Sequence, residues 1–63
     1  MLLLYRIERF LRASKMPPTI FGRLVVHDPR FVFDLRLGRE PRASTRARVD
    51  AWLDARSAEG SRK

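Results

Sequence analysis

The sequence predicts an all-α domain, a compact bundle of four short helices. Three observations predict it. Apolar residues recur at helical spacing in several separate stretches. Proline and glycine fall between those stretches rather than inside most of them. The chain has 63 residues, 44% apolar and 33% charged, which suits one small folded core and is too apolar for a disordered chain.

The first stretch, residues 2–13, sets Leu3, Leu4, Ile7, Phe10 and Leu11 along one helical stripe, with Glu8 and Arg12 four apart on the wet face and suited to pair. It runs out at Ser14-Lys15-Met16, and Pro17-Pro18 stops it. A helix's first turn has spare N–H groups, so the same prolines suit the opening of a second helix over 18–26. That helix places Phe21 and Val25 on one face with Leu24 beside them. Gly22 in its middle costs about 1 kcal/mol relative to alanine. Such a glycine makes sense where another backbone crosses closely.

His27-Asp28-Pro29 forms the next break. Asp28 reads as an N-cap and Pro29 as the first helical residue of a third helix over 29–37. Phe31, Val32 and Leu35 then share one side, and Arg30, Phe33, Asp34 and Leu37 the other, with Gly38 as the residue just past the end. A rival reading makes Leu24-Val25-Val26 and Phe31-Val32-Phe33 two short strands of a hairpin, since both runs are β-branched and aromatic. The Asp-Leu-Arg-Leu-Gly continuation fits helical spacing better than alternation.

Arg39 to Ala43 reads as a polar loop. Ser44 or Thr45 caps a last helix over 45–58, with Val49, Trp52, Leu53 and Arg56 inside and Arg46 and Asp50 paired outside. Residues 1–58 therefore form one domain and 59–63 a frayed tail.

Composition narrows function. With no cysteine, thiol nucleophiles, cysteine zinc sites and disulfide frameworks are excluded. The single histidine, His27, is expected half-buried at its turn rather than at a metal or acid–base site. Asp50 and Asp54 stand one turn apart but read as solvated charges rather than a hydrolytic pair. An enzyme is the least favoured class, and no cofactor or metal is expected. The apolar start is interrupted at Arg6, too early for a signal peptide or a membrane span, so the expected location is cytoplasmic, with no membrane partner. Basic residues number 14 against 7 acidic, a net charge of +7 that calls for an anionic partner. Arginine outnumbers lysine 12 to 2, which reflects either phosphate and guanine recognition or a GC-rich genome.

Two short helices joined by a tight turn, flanked by supporting helices in a basic chain, are the ingredients of a helix-turn-helix DNA-binding domain. Residues 16–53 resemble the Cro and lambda-repressor-like (XRE-type) domains of small phage and bacterial regulators, and the resemblance implies a fold of five helices or a pared-down four. The buried positions of that family fall on Phe21, Val25, Val32 and Leu35, and its small residue at the helix crossing falls on Gly22. Gly38, Pro41 and Ser44-Thr45 echo its glycine, proline and capped following helix. Two positions depart: Val26 stands where the family has its turn glycine, and His27 where it has an apolar residue. The turn must then use different backbone angles, because a β-branched valine resists positive φ.

The resemblance makes 29–37 the recognition helix in the major groove of double-stranded DNA, which puts the expected location at the nucleoid. It implies Arg30 reading guanine, Phe33 touching a thymine methyl, Asp34 accepting from cytosine N4, and Leu37 as a further base contact. The bland readings are a solvated arginine, apolar residues facing a protein partner, and an aspartate paired to a neighbouring arginine. From Arg36 to Arg48 the chain carries five arginines against Glu40, a net +4. In the implied fold this segment follows the phosphate backbone, so Arg36, Arg39, Arg42, Ser44, Thr45 and Arg46 are phosphate candidates, with Thr19 and Arg23 on the second helix as weaker ones. Trp52 reads as core or as part of a homodimer face. The main alternative is a small adaptor, an antirepressor or a factor bound to RNA polymerase, that docks protein on Phe33 and Leu37. RNA binding by the basic loop is a third reading without a module signature.

Overall fold

The computed structural model describes residues 3–61, with side-chain surroundings given for 3–56. Four helices follow one another: α1 Leu3–Ser14, α2 Pro18–Val26, α3 Phe31–Arg36 and α4 Ala43–Ser61. No strand occurs among the described residues, so the hairpin reading of 24–33 is set aside. Val26 closes one helix and Phe31 opens another.

All four helices contribute to one core. Leu3, Ile7 and Leu11 from α1, Phe21 and Val25 from α2, Phe31, Val32 and Leu35 from α3, and Val49 and Leu53 from α4 are all buried. Each set lies on the apolar stripe that its spacing dictates. Phe10, Phe21 and Trp52 add an aromatic triangle joining α1, α2 and α4, with ring centroids 5.2–5.9 Å apart and Trp52 edge-on to both phenylalanines. Trp52 is thus part of the packed interior, half-buried, with the Arg56 guanidinium 4.6 Å above its ring. Arg56 itself is exposed, not inward-facing as its spacing predicted.

The connections explain the glycines and one histidine. Lys15 turns left-handed (φ 61) and its N–H still reaches the Leu11 carbonyl at 2.8 Å, ending α1 before Pro17. Pro18 then occupies the first turn of α2, where no N–H is needed. At the other end of α2, His27 takes the left-handed conformation (φ 60, ψ 31), and Asp28 N–H bonds the Gly22 carbonyl at 3.0 Å. The chain therefore doubles back over Gly22. A Cβ there would strike the Asp28 carbonyl oxygen and come within 3.3 Å of the Phe31 Cβ. The close backbone approach expected at this glycine is present.

Three boundaries differ from expectation by two residues or more, and α3 also ends at Arg36, one short of the expected 37. The third helix starts at Phe31, not 29, because Asp28 makes a tight turn instead of a helical cap: its Oδ1 accepts the Arg30 N–H at 2.9 Å and its carbonyl the Phe31 N–H at 3.1 Å. Pro29 and Arg30 lie in that turn. α4 starts at Ala43, so Ser44 and Thr45 sit inside its first turn and neither is the cap. The Arg42 carbonyl instead accepts the Arg46 N–H at 2.9 Å. α4 also runs to Ser61, past the expected end at 58, while Arg62 and Lys63 of the expected tail lie outside the described residues.

Candidate nucleic-acid interface

The outward side of α3 follows from what its inner side buries. With Phe31, Val32 and Leu35 in the core, helical geometry turns Arg30, Phe33 and Leu37 to solvent and leaves Asp34 half-buried at the edge. Phe33 is 42% exposed and Leu37 84%, high values for residues of their size. Arg30 is fixed at its backbone by Asp28 Oδ1 and by donation from Asp34 N–H to its carbonyl at 2.9 Å, so its exposed side chain projects from a defined base.

Gly38 ends the helix at φ +99. Its N–H bonds the Leu35 carbonyl and the Arg39 N–H bonds the Asp34 carbonyl, both at 3.0 Å, the paired bonds of a glycine-terminated helix. This cap carries Arg39 back beside α3. Asp28, Arg30, Asp34, Leu37 and Arg39 line one shallow depression, which brings three of the four base candidates together. An adjoining depression is lined by Arg39, Arg42 and Thr45 with Glu40 and Pro41, so three phosphate candidates share that surface. Phe33 lies outside both depressions, under the Arg36 guanidinium at 5.6 Å.

The other candidates are dispersed. Arg23 is exposed and Thr19 half-buried on α2, while Ser44 and Arg46 are exposed in the first turn of α4. Arg36 turns away to α1: its Nε and a terminal nitrogen grip both Glu8 oxygens at 2.7 and 2.9 Å. The hydrogen bonds from Arg36 hold the Glu8 carboxyl below the ordinary glutamate value. Glu8 thus pairs with Arg36 and not with Arg12 as its spacing suggested, and a guanidinium held this way is not available to phosphate. Asp34 takes the bland partner anticipated for it, Arg39, at 3.4 Å. His27 is exposed rather than half-buried, because a left-handed residue outside the packed helices points to solvent.

Two contributors escaped the sequence. Arg6 joins α1 to α4 through Asp50 and Asp54, each at 2.8 Å. Asp50 therefore does not pair with Arg46 along its own helix. Glu8 likewise fixes α3 against α1. Neither has a local signal, since the partners lie 28 to 48 residues away.

No family model matches the chain, and no curated protein or solved structure does. No helix among the described residues is long and apolar enough to cross a membrane.

Proposed function

We propose that the protein is a sequence-specific DNA-binding transcription regulator of phage or bacterial type, built as a lambda-repressor-like helix-turn-helix in which α3 enters the major groove. The observation that carries this reading is the grouping of Arg30, Asp34, Leu37 and Arg39 in one depression on the outward side of α3, continuous with Arg42 and Thr45. Arginine forks at such a place suit guanine edges and phosphate oxygens alike. α2, folded tightly against α3 at Gly22, is the positioning helix of the pair. Attachment is electrostatic first, through Arg42, Arg46 and Arg23, and Arg39 joins them at phosphate once the site is engaged. Arg30 and Asp34 then discriminate among sites. Occupying an operator blocks RNA polymerase or, with suitable spacing, recruits it.

Selection of bound sites from random duplexes tests the reading. An enriched motif, palindromic if two copies bind as a homodimer, is the expected result. Arg30→Ala should flatten preference at one position of that motif, worth about 1–3 kcal/mol, while Arg42→Ala weakens all sequences alike. Absence of any enriched motif, with no duplex binding at low salt, removes the proposal.

One observation favours a second reading. Phe33 on α3 and Leu37 just past its end form an exposed apolar pair one turn apart. An adaptor docking on another regulatory protein would use this ridge. Loss of a captured partner on Phe33→Ala, with duplex binding intact, would select that alternative.

A further inference from the structure

We propose, resting on the DNA-binding reading above, that Asp34 is a specificity-determining residue. It holds Arg39 away from phosphate until a base with an exocyclic amino group takes over the carboxylate.

The backbone makes the pair. Because Arg39 N–H bonds the Asp34 carbonyl across Gly38, the residue after the glycine is stacked on the third-last position of the helix. Apolar side chains commonly meet at these two positions. Here a guanidinium and a carboxylate meet instead, at 3.4 Å.

The contact is built to open. It is a single, long contact, and the Arg39 side chain is 72% exposed. The Arg36–Glu8 pair, by contrast, has two short contacts on one carboxylate. An exposed pair of the Asp34–Arg39 kind shifts an equilibrium by only about two- to fivefold. Asp34, at 27% exposure, stays in place while Arg39 has room to swing.

The surroundings give the opening a consequence. Asp34 is the one acidic residue on α3, and it shares its depression with Arg30. The other carboxylate there, Asp28, is engaged by the Arg30 N–H at 2.9 Å. At a site presenting cytosine N4 to Asp34, both charges are satisfied again, the carboxylate by the amino group and Arg39 by a phosphate. At a base that offers only acceptors, releasing Arg39 leaves Asp34 unpaired among phosphates, which offsets what Arg39 gains. The carboxylate therefore weakens random-sequence binding more than it weakens binding to the preferred site.

The test compares Asp34→Asn with the unaltered full chain by fluorescence anisotropy, on a labelled random-sequence duplex and on the selected site, across a salt series. Asp34→Asn should bind the random duplex about two- to fivefold tighter. Its log affinity should fall more steeply with log salt, by about one in slope, as one more arginine reaches phosphate. The selected site should gain nothing, so the ratio between the two duplexes shrinks. Glu40→Gln changes net charge equally without touching Arg39 and should give a smaller gain; Arg39→Ala in the Asp34→Asn background should abolish the gain. Asp34→Ser, measured alongside, should move the same way if the asparagine variant loses helical circular dichroism. Equal gains for Asp34→Asn and Glu40→Gln, or a gain that survives Arg39→Ala, overturn the inference while leaving the DNA-binding reading standing. A wild-type chain that binds neither duplex removes that reading, and this inference with it.

Discussion

His27 holds the backbone conformation on which the α2–α3 turn depends, and it is the wrong residue type for ease. A left-handed φ of 60 brings the side chain of an L-residue against its own carbonyl, at a cost of about 1 kcal/mol that glycine avoids. The side chain is exposed, so nothing in the core rewards its retention. His27→Gly should therefore stabilise the fold by up to about 1 kcal/mol, raising the thermal midpoint by about 4–8 °C. A lowered midpoint would show that the imidazole makes a contact of its own. The sequence signalled that this turn departs from the related pattern, because Val26 cannot take positive φ. It did not signal that the left-handed residue moves one place along, since His27 carries no marker for it. Gly22 was legible: a glycine at mid-helix has few reasons to be there other than a crossing backbone, and the Asp28 carbonyl is that crossing.

At the scale of elements, helix existence was readable and helix starts were not. Apolar spacing at 3–11, 21–25, 31–35 and 49–53 marks each buried stripe, and burial stabilises those stripes whatever the termini do. Asp28-Pro29 and Ser44-Thr45 are strong opening signals, yet tight-turn hydrogen bonding at Asp28 and an earlier turn at Arg42 displaced both. Cross-helix ion pairs were also out of reach, because local spacing offers Arg12 to Glu8 while packing delivers Arg36. That strut makes a pH prediction. Arg36 lowers the folded-state Glu8 value below 4.5, so its stabilisation is fully present above about pH 4.5 and is lost as pH falls through the lower, folded value. With the two side chains 33% and 41% exposed, the amount is at most about 1 kcal/mol. In urea titrations, wild type should exceed Glu8→Gln in stability at pH 7, and the excess should shrink as pH falls towards 3. A difference of the same size at both pH values would mean that Glu8 contributes through shape or packing rather than charge.

For the whole molecule, the question is how much of the +7 can act outward. Part of the arginine complement is spent internally, with Arg6 held by Asp50 and Asp54 across α1 and α4, and Arg36 held by Glu8 across α1 and α3. These pairs lock three helices together at two places and subtract two guanidinium groups from any external field. Of the five arginines that the sequence offers to phosphate, Arg23, Arg36, Arg39, Arg42 and Arg46, only Arg36 is firmly committed within the fold. Arg39 is held by one long contact, and the rest make no ion pair among the described residues. With Arg39 kept from random-sequence phosphates by Asp34, the three neutralised by Arg23, Arg42 and Arg46 predict a log–log salt slope of about −3 for binding to random duplex DNA. Net charge alone, without this sorting, would suggest a slope about twice as steep. A titration series in potassium chloride distinguishes the cases. A slope near zero means that no phosphate is engaged and that the basic loop only confers solubility, whereas a slope steeper by about one, near −4, means that Arg36 leaves Glu8 on binding and the α1–α3 strut opens. Glu8→Gln, which frees Arg36 without removing it, should then steepen the slope by about one, from about −3 to about −4, and should leave it unchanged if the strut was already open.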